Sequence, residues 1–130
     1  MARRPAERKP TDAELAILDV IWERGSATVR EVFEIIGERQ EVGYTTVLKL
    51  MQIMTDKGLL ERDVSVRPQV FRAARARGQT QRLLLGDLLD RAFAGSPGRL
   101  VLQALSMRSS TPEELREIRA LLDELEGDAP

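Results

Sequence analysis

Apolar residues along this chain fall into short, separately bounded helical patterns. Leu15, Leu18, Ile21 and Trp22 recur at helical spacing, and Gly25 ends the run. Thr11-Asp12-Ala13-Glu14 stands in front of it as a capping box, in which the threonine hydroxyl takes the N3 amide and the glutamate reaches back. A second box, Thr28-Val29-Arg30-Glu31, opens a shorter helix with Val32, Phe33, Ile35 and Ile36 on its face and an end near Gly37. After a loop containing Gly43, Val47, Leu50, Met51 and Met54 step by three and four, and Gly58 is placed to stop the helix. The pattern then changes. Leu59 to Asp63 and Gln69 to Arg72 read as two short strands around a turn at Val64-Ser65-Val66-Arg67-Pro68, although the turn lacks the Asn-Gly or Asp-Gly signal.

From about residue 77 the helical pattern returns. Leu84, Leu85, Leu88, Leu89, Ala92 and Phe93 make a broad apolar face, broken by Gly95-Ser96-Pro97-Gly98. Leu100, Val101, Ala104 and Leu105 make a second. Thr111, Pro112 and Glu114 form a strong helix start, and Leu115, Ile118, Leu122 and Leu125 step 3-4-3 as a narrow seam. These helices carry more apolar surface than three short helices can cover. A homodimer interface accounts for it, built from Leu85, Leu88, Leu89, Phe93, Leu115, Ile118, Leu122 and Leu125; a single larger helical core is the alternative.

The predicted fold is mainly α with a small β-hairpin. It divides into a flexible basic arm (1–10), an N-terminal winged helix-turn-helix (11–75) and a C-terminal helical dimerisation region (76–127). In a winged helix the third helix enters the DNA major groove by its N-terminal residues. Tyr44, Thr45 and Thr46 hold that position, and Lys49 follows one turn on. Threonine hydroxyls bond phosphate or bases, the threonine methyl packs on thymine, and lysine supplies charge for phosphate. Capping with partial burial is the competing explanation for Tyr44 and the threonines. Thr28 and Arg30 at the second helix start, and Arg62, Arg67 and Arg72 on the hairpin, complete the expected DNA-binding set.

Composition narrows the chemistry. The 130 residues include no Cys and no His, which excludes a disulfide framework, thiolate metal sites and the commonest near-neutral acid/base. No cofactor or metal is expected. Net charge is −1, so any attraction to nucleic acid must be local. Over 39–75 the bases Arg39, Lys49, Lys57, Arg62, Arg67, Arg72 and Arg75 outnumber Glu41, Asp56, Glu61 and Asp63; over 76–130 acids prevail. The carboxylate pairs Asp87/Asp90 and Glu113/Glu114/Glu117 mark a solvent boundary and a helix first turn, and no phosphate loop or nucleophile elbow is present, so an enzyme is not expected. No apolar stretch is long enough for a membrane helix or follows the basic start as a signal sequence, and the chain is expected to be cytoplasmic.

Three stretches carry a resemblance: TDAELAILDVIWERGSATVREV at 11–32, YTTVLKLMQIMTDKGLL at 44–60 and TPEELREIRALLDELE at 111–126. Together they resemble the BlaI/MecI/CopY family of bacterial transcriptional repressors. The resemblance implies a homodimer that binds a palindromic operator and represses its promoter. In the antibiotic-sensing branch a membrane metalloprotease sensor leads to cleavage of the repressor in its C-terminal region. The chain departs from the family pattern in several places. Val42 stands where some members have Trp, and Val66 stands near the wing tip where Gly is usual. The cysteine cluster of the copper-responsive branch is absent, which excludes that release route. The cleaved Asn-Phe bond would fall near Gln103-Ala104, which do not match it. A winged helix that contacts only proteins is the rival reading.

Overall fold

The computed structural model describes residues 9–127; most of the expected basic arm lies outside them. Helix α1 (Asp12–Arg24) begins at the expected box: Thr11 Oγ1 accepts from the Glu14 amide at 3.2 Å, and Glu14 Oε1 accepts from the Thr11 amide at 2.8 Å. Its buried stripe is 14-17-18-21, formed by Glu14, Ile17, Leu18 and Ile21, with Val20 beside it. Leu15 and Trp22 are only half-buried. The stripe is rotated from the expected one because its first member is a carboxylate, which hydrophobic patterning passes over.

Helix α2 (Val29–Gly37) starts at the second box, with contacts of 3.1 and 2.9 Å between Thr28 and Glu31. It buries Val29, Val32 and Ile36, while Phe33 and Ile35 pack against the edge of the core. Helix α3 (Tyr44–Asp56) buries Val47, Met51 and Met54. Its end is a Schellman motif. Gly58 takes φ +83°, the Gly58 amide bonds Thr55 O at 3.1 Å, and the Leu59 amide bonds Met54 O at 2.8 Å. The buried Leu59 seals the turn.

That turn delivers the chain into β1 (Leu60–Asp63), which pairs antiparallel with β2 (Val70–Ala73). Glu61 faces Arg72 across the ladder, a favourable opposite-charge pair. A third strand position lies outside the hairpin. Ala27, between α1 and α2, exchanges hydrogen bonds with Phe71 at 3.1 and 2.8 Å. The wing is thereby tied to the helical core, and Phe71, Leu60 and Ala27 are buried in it. The element order and the closed ribbon define a winged helix-turn-helix unit.

Helix α4 (Arg77–Ala92) follows the wing, and its start is fixed to α1: Trp22 Nε1 donates to Arg75 O at 2.9 Å, and the Arg77 guanidinium lies 5.6 Å from the Trp22 ring centroid. The chain divides into two compact units at Gly86/Asp87, inside α4. The second unit continues through α5 (Pro97–Met107), capped by Ser96, and α6 (Pro112–Gly127), opened by reciprocal Thr111–Glu114 bonds. No residue of α5 or α6 is buried.

Glu14 is 1% exposed, and its second oxygen accepts from Lys57 Nζ at 2.8 Å. Burial pushes its carboxyl pKa up. The Lys57 ammonium and the Thr11 N–H and hydroxyl outweigh that and hold it below the ordinary value. Its stabilising contribution is full above the ordinary glutamate pKa, about 4.3, and is lost as pH falls through the lower folded-state value. Glu14→Gln keeps the shape but leaves Lys57, three-quarters buried, without its counter-charge. We expect it to lower unfolding free energy by about 2–4 kcal/mol at pH 7 in urea titrations followed by fluorescence of the single Trp22. The deficit relative to wild type should shrink as pH falls below the ordinary glutamate range, where wild type loses the same interaction.

Candidate nucleic-acid interface

The question at α3 is whether Tyr44, Thr45 and Thr46 cap the helix or face outward. Gly43 is the N-cap and supplies no side-chain bond. Tyr44 is 38% exposed, Thr45 and Thr46 are exposed, and Lys49 is exposed one turn on. The three residues therefore sit inside the first turn and serve no capping role. The other helices of this unit behave differently. α1 and α2 spend a threonine and a glutamate each on their N-termini.

The remaining expected contacts are placed unequally. Thr28 is occupied: its hydroxyl oxygen caps α2. Arg30 is exposed and its guanidinium carbon lies 5.0 Å from the Tyr44 ring centroid, a cation–π geometry. Phe33 meets the same ring edge-on, with centroids 5.7 Å apart and planes at 82°. Arg30 and Tyr44 are thus brought together by the α2–α3 packing, with Phe33 as a third member that spacing did not single out.

On the wing, Arg62 and Arg67 are exposed, and Arg72 lies 3.6 Å from Asp63. Asp63 also accepts from the Ser65 hydroxyl at 2.6 Å and the Ser65 amide at 2.9 Å. Those two bonds, then the Arg72 charge, keep the Asp63 carboxyl below its usual range. The wing tip is therefore shaped by a turn closed on Asp63. Among the described residues no acid lies within ion-pair distance of Lys49, Arg62 or Arg67. These three cations have no acid beside them, whereas Arg72 shares an exposed ion pair with Asp63. The tip also exposes Val64 and Val66.

In the second unit and the helix leading to it, Leu85, Leu88, Leu122 and Leu125 are exposed, and Leu89, Phe93, Leu115 and Ile118 are half-buried. Leu102 and Met107, outside the expected interface, are the most exposed large apolar side chains among the described residues, at 69% and 72%. Gln103 and Ala104 are exposed within α5. Among the described residues no group of three or more carboxylates gathers as a metal site, and no helix is long and apolar enough to cross a membrane.

A winged helix-turn-helix with an outward-facing third-helix start is an architecture that nucleic-acid-binding regulators use. Sequence comparison gives the family: the penicillinase repressor model matches residues 10–124. The chain belongs to the penicillinase repressor family, a family of transcription regulators. Proteins from Mycobacterium tuberculosis strains CDC 1551 / Oshkosh and ATCC 25618 / H37Rv, each called transcriptional regulator BlaI, are 28% identical over 117 residues, spanning 89% of this chain and 84% of theirs.

Capping and presentation have different stability signatures. Thr45→Ala and Thr46→Ala should each leave unfolding free energy within about 0.5 kcal/mol of wild type. Thr28→Ala, which removes a real cap, should cost about 1 kcal/mol. Urea midpoints compared at one protein concentration check both, and an equal loss at Thr46 would make it a structural residue.

Proposed function

We propose that the chain is a homodimeric transcriptional repressor that binds a palindromic DNA operator. The observation that carries this reading is the first turn of α3, which exposes Tyr44, Thr45 and Thr46 on a helix with no side-chain cap. Each protomer sets α3 in a major groove. The threonine hydroxyls and methyls and the tyrosine meet base edges, and Lys49 meets phosphate. The uncapped amides at the start of α3 add donors for a phosphate oxygen. Arg62 and Arg67 bring the wing to the backbone beside the site, with Arg72 held back by Asp63. Occupying the promoter excludes the transcription machinery.

Dimerisation rests on the apolar side chains of α4 to α6 that this chain leaves uncovered. A two-fold axis then relates two recognition helices and accounts for a palindromic operator. Relief by a membrane sensor protease fits the family; cleavage near Gln103-Ala104 would require α5 to unwind locally, since both residues are helical. The competing use of this fold, contact with another protein in place of DNA, draws support from the exposed Val64 and Val66 at the wing tip.

The test is selection of bound duplexes from a random pool, then titration of the winner at several salt concentrations. A palindromic winner is expected, with affinity falling steeply as salt rises. Arg67→Ala should weaken binding about equally across sequences and reduce the salt slope by about one. Thr46→Ala should cost about 1–2 kcal/mol of binding. A folded protein that enriches no sequence would overturn the DNA reading in favour of a protein partner.

The dimer has its own test. Ile118→Asp combined with Leu122→Asp should yield monomers by light scattering, and each monomer should bind a half-site far more weakly than the dimer binds the full operator. An unchanged mass would remove α6 from the interface.

A further inference from the structure

We infer that Arg30 and Phe33 act as positioning residues that set which DNA sequence is read, by fixing the ring of Tyr44 at the head of α3. The inference rests on the DNA-binding reading above and adds to it a source of selectivity outside the recognition helix. Phe33 carries it furthest.

The start of α3 has little local support. Its N-cap is Gly43, with no side-chain bond. The loop before it is anchored to the core by Val42, but Gln40, Glu41, Val42 and Gly43, with Phe33 and Gly37, also line an open cleft of about 480 Å³. The Tyr44 hydroxyl has no hydrogen-bond partner among the described residues. Its ring meets two side chains of α2, Phe33 edge-on and Arg30 over the face.

Arg30 and Phe33 are three positions apart and so lie on one side of α2. Phe33 sets its ring at 82° to Tyr44 with centroids 5.7 Å apart, within the range of a favourable edge-to-face pair. Arg30 covers the Tyr44 ring at 5.0 Å. Both members are themselves anchored. Phe33 packs against the buried core. Arg30 sits in a first turn fixed by the Thr28–Glu31 box, and Glu31 is further tied to Arg24. The rigidity of the core thus reaches the Tyr44 ring while its hydroxyl end stays available. A ring held in one orientation reads one pattern of base edges, whereas a freely rotating one adapts to several.

Arg30 has a second consequence. An arginine over an aromatic face presents a flat guanidinium that lysine, a compact point charge, cannot reproduce. Arg30→Lys therefore separates stacking from charge. Arg30 is exposed, so this variant leaves the core intact.

Tyr44 is the single tyrosine, so full-length protein grown with 3-fluorotyrosine carries one fluorine signal site. In free wild-type protein we expect a signal displaced from that of the denatured chain. Phe33→Leu and Arg30→Lys should each move it toward the denatured position, with Trp22 fluorescence confirming that both variants are folded. Against the selected operator and its single-base-pair variants, both should lower discrimination about three- to tenfold while leaving the salt slope at its wild-type value. Unmoved fluorine signals in the folded variants would overturn the ring clamp. Moved signals with wild-type discrimination would overturn its role in selectivity. A reduced salt slope in Arg30→Gln, which removes the charge, with discrimination intact would make Arg30 a plain phosphate contact and overturn its assignment here. Wild-type protein that discriminates among no DNA sequences would instead sink the DNA-binding reading, and the selectivity role with it, even where the fluorine signals move as expected.

Discussion

The winged-helix unit depends on one buried carboxylate. Glu14 occupies a core position at the start of α1, satisfies the first amide of the capping box with one oxygen and takes Lys57 with the other. Lys57 is the C-cap of α3. A single side chain therefore joins the beginning of the first helix to the end of the third. An unpaired carboxylate in that place would be costly, so the two helices are held to one relative register by the need to keep it paired. The Schellman turn at Gly58 then starts the wing from the same point, and the Ala27–Phe71 bonds fasten the wing to the α1–α2 connection.

Against this fixed frame the start of α3 is left open. Its far end is tied by Lys57, its middle buries Val47 and Met51, and its first turn offers Tyr44, Thr45 and Thr46 outward. A helix secured at one end and along one side can present its other end without losing orientation. That arrangement suits reading by a few side chains, because the ordering cost is met by the fold before any partner arrives. The wing is built on the same plan. Asp63 organises the tip through Ser65 and engages Arg72, while Arg62 and Arg67 remain uncommitted.

Much of this was legible in the sequence because it is written in local rules. Both capping boxes, the stop at Gly58, the hairpin and the break at Gly95 to Gly98 follow from residue spacing and turn chemistry, and the structure places them as expected. What spacing could not reveal are the pairings between distant elements. Glu14 reads as a capping glutamate, and nothing nearby points to Lys57, 43 residues on. Ala27 is a small residue two positions after Gly25, so its strand role shows only when Phe71 is alongside. Phe33 reads as a core residue, and its contact with Tyr44 depends on the angle at which α2 meets α3. Likewise Arg72 and Arg67 look alike in sequence, and only the closed turn on Asp63 separates them.

The central claim is that the open first turn of α3 is the surface that meets DNA. Backbone amide NMR of the labelled protein, titrated with the selected operator, tests it most directly. The largest shifts should fall on Tyr44, Thr45, Thr46 and Lys49, followed by Arg62 and Arg67, with the interior of α1 nearly unmoved. Shifts confined to α4 to α6, with residues 44–49 at their free positions in a saturated complex, would contradict the account.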